Sequence, residues 1–248
     1  MKPWLVFVHG IGGSNRVWPD QEAFFADRAR VLCWNIPGYG GRPLPDDFSF
    51  AGLARQLVDD LQAFGVARFA LVGHSFGGMI AQQVARDFPG TLSHLVLSGT
   101  SPAFGSPDGD FQKRFIADRL GPLDAGRTMG ELAGPIVDSL VAPKCPRAGI
   151  DVARESMEQV AETTYRASMT LLVTFDLRSS LSSIAVPTLV LAGGRDTSAP
   201  AAMMEKMATR IPGAGYRCID DAGHLANLER PDAFNRAIAE FLEEFDNG

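Results

Sequence analysis

Three residues in this chain, a hydroxyl, an imidazole and a carboxylate, each stand in a turn next to an apolar run and could together perform nucleophilic catalysis. The hydroxyl is Ser75, inside Gly73-His74-Ser75-Phe76-Gly77. A Gly-x-Ser-x-Gly stretch after an apolar run and before a helical one places the serine on a sharp, strained turn. There the residues two before and two after come too close to carry a Cβ. The turn lifts Oγ clear of the backbone and leaves it at a helix N-terminus, which favours developing negative charge. The spacing is not the Gly-x-Gly-x-x-Gly of a dinucleotide loop. A serine hydroxyl is a weak nucleophile at neutral pH and needs a base that is itself held by an orienting group. The chain has four histidines. His224, in "DDAGHLANLERP" between the last strand-like run and the last helical pattern, is the expected base. His74 adjoins the serine, but the turn aims its side chain elsewhere. His94 opens an apolar strand and reads as structural, and His9 reads as a brace for its own loop. Asp196, just past the apolar run of "PTLVLAGGRDTSAP", is the expected orienting acid. The competing strand end "LVLSGTSP" offers no carboxylate, and Asp220 and Asp221 read as solvated turn residues. Two backbone N–H groups must stabilise the oxyanion, and losing one such donor typically costs roughly 10²–10³ in rate. Phe76 supplies one. The loop "FVHGIGGSNRVW" supplies the other, from Ile11 as first choice and Gly12 as second.

Three side chains so distant in sequence meet only if a scaffold carries their loops to one edge. Short apolar runs occur at 4–8, 31–36, 68–73, 94–98, 187–192 and 216–220. They read as strands buried on both faces, hence as a parallel sheet covered by helices. Between them, apolar residues recur at helical spacing: Leu53, Leu57, Leu61 and Phe64, stopped by Gly65; Ile80, Val84 and Phe88; Met203, Met204, Met207 and Ile211; Phe234, Ile238, Phe241 and Phe245. The alternation predicts an α/β fold, a doubly wound and mostly parallel sheet of about six core strands. It lapses between 101 and 184. That segment opens loop-like at "SPAFGSPDGD" and carries one long helical pattern from Met157 to Phe175. The expected organisation is a core of residues 1–100 and 185–248 with a helical cap, or lid, of residues 101–184 over the C-terminal ends of the strands, where open α/β sheets bind ligands. Within the cap, Phe104, Phe115, Met129, Tyr165 and Met169 are the candidate substrate-binding residues, with Phe111, Met157 and Phe175 as further apolar candidates. Basic candidates for gripping a substrate carboxylate are Lys113, Arg114, Arg127, Arg147, Arg154, Arg166 and Arg178, with Arg42 outside the cap. Acidic residues there are about as numerous, so no anion site stands out.

Composition narrows the partners. The 248 residues carry a formal net charge of −6 and no basic block, which disfavours nucleic acid. No stretch approaches the ~18 apolar residues of a membrane span. "MKPWLVFVHG" does not read as a signal peptide. Three scattered cysteines, Cys33, Cys145 and Cys218, lack a CxxC spacing and read as small buried hydrophobes in a reducing cytoplasm. The expected partner is a small molecule, and the expected assembly a monomer or homodimer.

"HGIGGS", "IPGYGGR", "GHSFGG", "GGRD" and "AGHLANLERP" fall in the order and spacing of the α/β-hydrolase fold superfamily, which the chain resembles over nearly its full length. The resemblance implies Ser75, Asp196 and His224 as a triad, Ile11 and Phe76 as oxyanion donors, and no metal or organic cofactor. The tail is most similar to the enol-lactonase branch. The front also resembles small carboxylesterases of the pimeloyl methyl ester esterase type and the menaquinone-pathway member of the fold. The chain departs at its start, where the antiparallel edge hairpin that usually precedes the first strand has no room. The expected activity is hydrolysis of small carboxylic esters or lactones through an acyl-enzyme on Ser75. A carbon–carbon hydrolase of meta-cleavage products, or a perhydrolase or haloperoxidase, would use the same triad. A non-catalytic receptor is disfavoured, because every catalytic position is filled.

Overall fold

The computed structural model describes residues 2–105 and 109–246, the last three as backbone only. Residues 106–108 of the expected loop and the Phe245 side chain of the expected last stripe lie outside the described residues.

Strands form where the apolar runs are: β1 (Trp4–Val8), β2 (Arg30–Trp34), β3 (Phe69–His74), β4 (Leu92–Ser98), β5 (Thr188–Gly193) and β6 (Gly215–Ile219). They make one sheet in the order β2-β1-β3-β4-β5-β6, with every neighbouring pair parallel. The chain leaves β1 toward β2 on one side and then crosses to β3 on the other. The loops after β1 and β3 therefore diverge, and they open a crevice between them at the strands' C-terminal ends. Those two loops carry Ile11 and Ser75.

Helices α1 (Pro19–Phe25), α2 (Phe50–Ala63) and α3 (Phe76–Asp87) alternate with the first four strands. Four more, α4 (Asp110–Asp124), α5 (Met129–Leu140), α6 (Arg147–Glu158) and α7 (Glu162–Leu172), lie between β4 and β5, and α8 (Ala201–Ala208), α9 (Ala226–Glu229) and α10 (Pro231–Asp246) close the chain. α2 packs with α3 and α1 with α10. β3 and β5 are buried along their whole length, as apolar strands covered on both faces must be. Leu53, Leu57 and Leu61 of α2 are buried as expected. Phe64 is instead 73% exposed, because the helix stops at Ala63 and Gly65 turns the chain at φ +76°.

The cysteines are less buried than their strand-like setting suggests. Cys33 is half-buried and Cys218 exposed, because β2 and β6 are the two edge strands and lack a neighbour on one side. Cys145 is half-buried, and all three are free.

The segment between β4 and β5 leaves and rejoins the core side by side. Phe104 donates its N–H to the Phe175 carbonyl at 2.9 Å, and Leu177 to that of Pro102 at 2.8 Å. The expected single helix through Met157–Phe175 is two. α6 ends at Glu158, Ala161 is extended, and α7 begins at Glu162. The buried face continues across this break, so spacing alone does not reveal it. The sequence marks this segment as helical but gives no separate extent to α4, to α5 or to α6 ahead of Met157. Pro122 and Pro135 lie inside α4 and α5. One legible signal did mark α5: Thr128 accepts from the Glu131 N–H while Glu131 accepts from the Thr128 N–H, a capping box. α7 is tied to the loop after β2 by Tyr39 Oη–Ser168 Oγ at 2.7 Å and by Thr164 Oγ1 donating to the Gly38 carbonyl at 3.0 Å. No helix among the described residues is long and apolar enough to cross a membrane.

Candidate active site

Ser75 is the one non-glycine residue at positive φ among the described residues (φ 53°, ψ −116°). Such a conformation costs on the order of 1–3 kcal/mol and persists only where its surroundings over-determine it. Here they do. The Ser75 N–H donates to the Ser98 carbonyl at 2.9 Å, and its own carbonyl accepts from Thr100 Oγ1 at 2.8 Å and the Met79 N–H at 3.1 Å. The flanking glycines make the turn possible. A Cβ on Gly73 would meet the Gly77 carbonyl oxygen at 2.5 Å, and one on Gly77 would meet the His9 carbonyl oxygen at 2.5 Å.

His224 is delivered by the loop after β6. Its N–H donates to the Leu140 carbonyl at 2.7 Å. The buried Glu229 carboxylate accepts from the N–H groups on either side of it, Gly223 at 3.0 Å and Leu225 at 3.1 Å, and from Ala142 at 2.7 Å. His74 Nε2 donates to the His224 carbonyl at 2.8 Å. The turn thus aims His74 away from the serine and against the backbone of the other histidine. Burial, with the neighbouring His224 adding to it, lowers the pKa of His74 to about 3, so its ring is neutral.

With the loops so placed, His224 Nε2 lies 3.0 Å from Ser75 Oγ, and His224 Nδ1 lies 2.7 Å from Asp196 Oδ2. The second oxygen of Asp196 accepts from the Ser198 and Ala199 N–H groups at 2.7 and 2.9 Å. Burial pushes the Asp196 carboxyl up. His224 and the two amides outweigh it and hold the carboxyl below its ordinary value. Ionised, it can only accept, so His224 Nδ1 carries a proton toward it and Nε2 is left to accept from the serine.

His9 braces the loop after β1: its Nδ1 donates to the Gly10 carbonyl at 2.9 Å and its Nε2 accepts from the Ile36 N–H at 3.2 Å. Complete burial lowers its pKa to about 4. His94 lies at the opposite end of the sheet, packed edge-on against Phe241 at 5.7 Å.

Ser75 and His224 open onto a cavity of about 370 Å³. Ile11 lines it. Gly12 lines a separate, smaller cavity beneath the Met157 side chain. Phe76, fully buried, opens α3 directly after the serine. Of the candidate substrate-binding residues, Phe104, Phe115, Tyr165 and Met169 line the cavity, as do Phe111 and Met157. Met129 does not: it is buried in the first turn of α5. Five of the candidate cations in the inserted segment are engaged elsewhere. Arg127 donates to a carbonyl, and Arg147, Arg154, Arg166 and Arg178 pair with carboxylates. Arg42 pairs with Asp60 and stacks on Trp34, and neither Lys113 nor Arg114 is on the cavity wall. The cation that does line it is Arg119, which the sequence reading passed over because nothing in its spacing sets it apart from the other basic residues of that segment.

A fully parallel doubly wound sheet with a strained serine turn after β3 and a histidine loop after β6 defines a hydrolase of the α/β type. The chain belongs to the Alpha/beta hydrolase family, whose profile matches residues 5–237. It is 30% identical over 247 residues to a protein of Klebsiella pneumoniae subsp. pneumoniae named "Putative carbamate hydrolase RutD", covering 97% of this chain and 91% of that one. Among solved structures it is similar to a thermophilic esterase from Thermogutta terrifontis (27% identity, TM-score 0.83, 98% of this chain and 90% of that one). The enol-lactonase of Burkholderia xenovorans LB400 shares the fold (24% identity, TM-score 0.86, 98% and 92%).

Proposed function

We propose that this hydrolase cleaves small carboxylic esters or lactones through an acyl-enzyme on Ser75, with residues 101–184 acting as a cap over the reacting group. One observation carries the reading: the unbroken hydrogen-bond chain from Ser75 Oγ through His224 to Asp196 at the edge of a largely apolar cavity. In the proposed mechanism His224 Nε2 removes the serine proton as Oγ attacks the carbonyl carbon. Asp196 stabilises the resulting imidazolium, which then protonates the leaving oxygen. The Phe76 and Ile11 amides hold the oxyanion. Water enters with His224 again as base, and the acid departs with Ser75 restored. The buried, neutral His74 does not compete for the proton. The site acts without a metal or organic cofactor, in the cytoplasm.

A carbamate is the second reading, favoured by the name of the Klebsiella relative. It presents the same carbonyl to the same nucleophile. The test is turnover of 4-nitrophenyl acetate, a small lactone and a small carbamate by the wild type and Ser75→Ala. Ester or lactone hydrolysis falling by ~10⁴-fold or more in the variant supports the proposal. Hydrolysis unaffected by the change sinks it, and turnover confined to the carbamate replaces it with the second reading.

A further inference from the structure

The titratable groups of the cavity beside Ser75 fall in two sets, and the other polar side chains of its wall are hydroxyls, Thr100, Ser101, Ser139, Thr197 and Ser198. One set is at the serine, His74 and His224. The other is in the inserted helices, where α4 and α7 pack against each other. Arg119 of α4 is the one Lys, Arg, Asp or Glu among the described residues of the wall. Its guanidinium stacks on the Phe115 ring at 5.5 Å and, among the described residues, has no carboxylate partner. Arg147 and Arg154 of α6 and Arg166 of α7 are, by contrast, paired with carboxylates. Tyr165 of α7 lines the same wall, is fully buried, and its hydroxyl has no hydrogen-bond partner. Burial raises the Tyr165 pKa while the Arg119 charge pulls it down, so the two groups feel each other. A buried hydroxyl without a partner is rare, because the lost hydration goes uncompensated. An unpaired cation and an unpaired phenol, with no acid on the wall to satisfy either, together ask for an anionic acceptor.

We infer that Arg119 and Tyr165 form a second subsite that binds a carboxylate on the substrate's acyl chain, so that the preferred substrates are half-esters or lactones carrying a free acid at the end away from the scissile bond. The inference rests on the hydrolase reading of the same cavity. The guanidinium offers paired donors of the kind that grip a carboxylate, and the phenol donates one more bond. The phenylalanine cluster of Phe104, Phe111 and Phe115 walls the methylene chain between the two sets. Neutral chains of equal length bury the same apolar surface and leave both donors unsatisfied.

The experiment compares mono-4-nitrophenyl adipate and suberate with 4-nitrophenyl hexanoate and octanoate. For at least one chain length the wild type favours the half-ester by about tenfold or more in kcat/KM, expressed in KM. Arg119→Gln and Tyr165→Phe each reduce that ratio, whereas Arg147→Gln, an exposed arginine paired with Asp151, leaves it in place. A wild type that prefers the neutral esters at both lengths overturns the inference, as does a ratio indifferent to Arg119→Gln. A parallel calorimetric titration of Ser75→Ala with monomethyl adipate and methyl hexanoate reads the subsite without turnover. Preferential binding of the acid without ester hydrolysis by the wild type removes the hydrolase reading and keeps the subsite. Hydrolysis without any preference, in turnover or in binding, removes the subsite alone.

Discussion

One carboxylate oxygen of Asp196 is claimed by two backbone amides, and this decides what an amide in its place would do. In Asp196→Asn the side-chain oxygen stays with the Ser198 and Ala199 N–H groups, because only an acceptor fits there. The NH₂ is then turned toward His224 Nδ1. That nitrogen must accept, the ring proton moves to Nε2, and the face toward Ser75 donates where it should accept. We expect Asp196→Asn to lower kcat by roughly 10⁴ with little change in KM. Steady-state kinetics on 4-nitrophenyl acetate check this, and a loss below tenfold would mean that Asp196 does not set the tautomer. Ser75, Asp196 and His224, which one hydrogen-bond chain joins, each follow an apolar run that is recognisable in the sequence. Arg119 has no such mark. Its distinction is a place on the cavity wall without a carboxylate beside it, a property of its surroundings alone.

Loops bring the site together, and one of them depends on a residue that looks unremarkable in sequence. Glu229, in the "LERP" stretch, ties the N–H groups flanking His224 to that of Ala142, just beyond α5. The carboxylate thus joins the histidine loop to the end of an inserted helix. Glu229→Gln keeps the shape but places an NH₂ where an oxygen accepted, so at least one buried N–H loses its partner. The expected cost is about 1–3 kcal/mol in unfolding free energy, with kcat falling more than KM rises as the imidazole loses its register. Urea denaturation and kinetics measure the two. A variant matching the wild type in both would show that the loop holds itself. The strands were readable because an apolar run of five or six residues has little else to become. The helices between β4 and β5 were harder, since two carry internal prolines and the break between α6 and α7 leaves the buried face uninterrupted.

Across the whole molecule, two buried neutral histidines link folding to pH. His9, with a pKa of about 4, and His74, with one of about 3, both lie below the ordinary 6.5. Above pH 6.5 neither state of the chain binds the proton and there is no penalty. Below it the unfolded chain takes up protons that the folded one refuses. Stability therefore declines as pH falls, until pH 4 is reached for His9 and pH 3 for His74. The His9 contribution amounts to about 3 kcal/mol by pH 4. Urea midpoints at pH 7.5 and pH 5 should separate more for the wild type than for His9→Gln. Equal separations would mean that the fold leaves the His9 pKa at its ordinary value.

Local patterning was sufficient for the core. Strand-like runs alternating with helical stripes admit few arrangements, and a Gly-x-Ser-x-Gly turn between a strand and a helix admits few geometries. Which side chains face the serine across the cavity is a different kind of fact. Met129 and Met169 are both apolar residues on helices of the same inserted segment, yet Met169 lines the cavity and Met129 is buried in the first turn of α5. Arg119 and Arg166 are both arginines there, yet Arg166 is held by two carboxylates and Arg119 by none. The packing of the four inserted helices assigns those fates, because helical spacing defines a face and leaves open what that face meets.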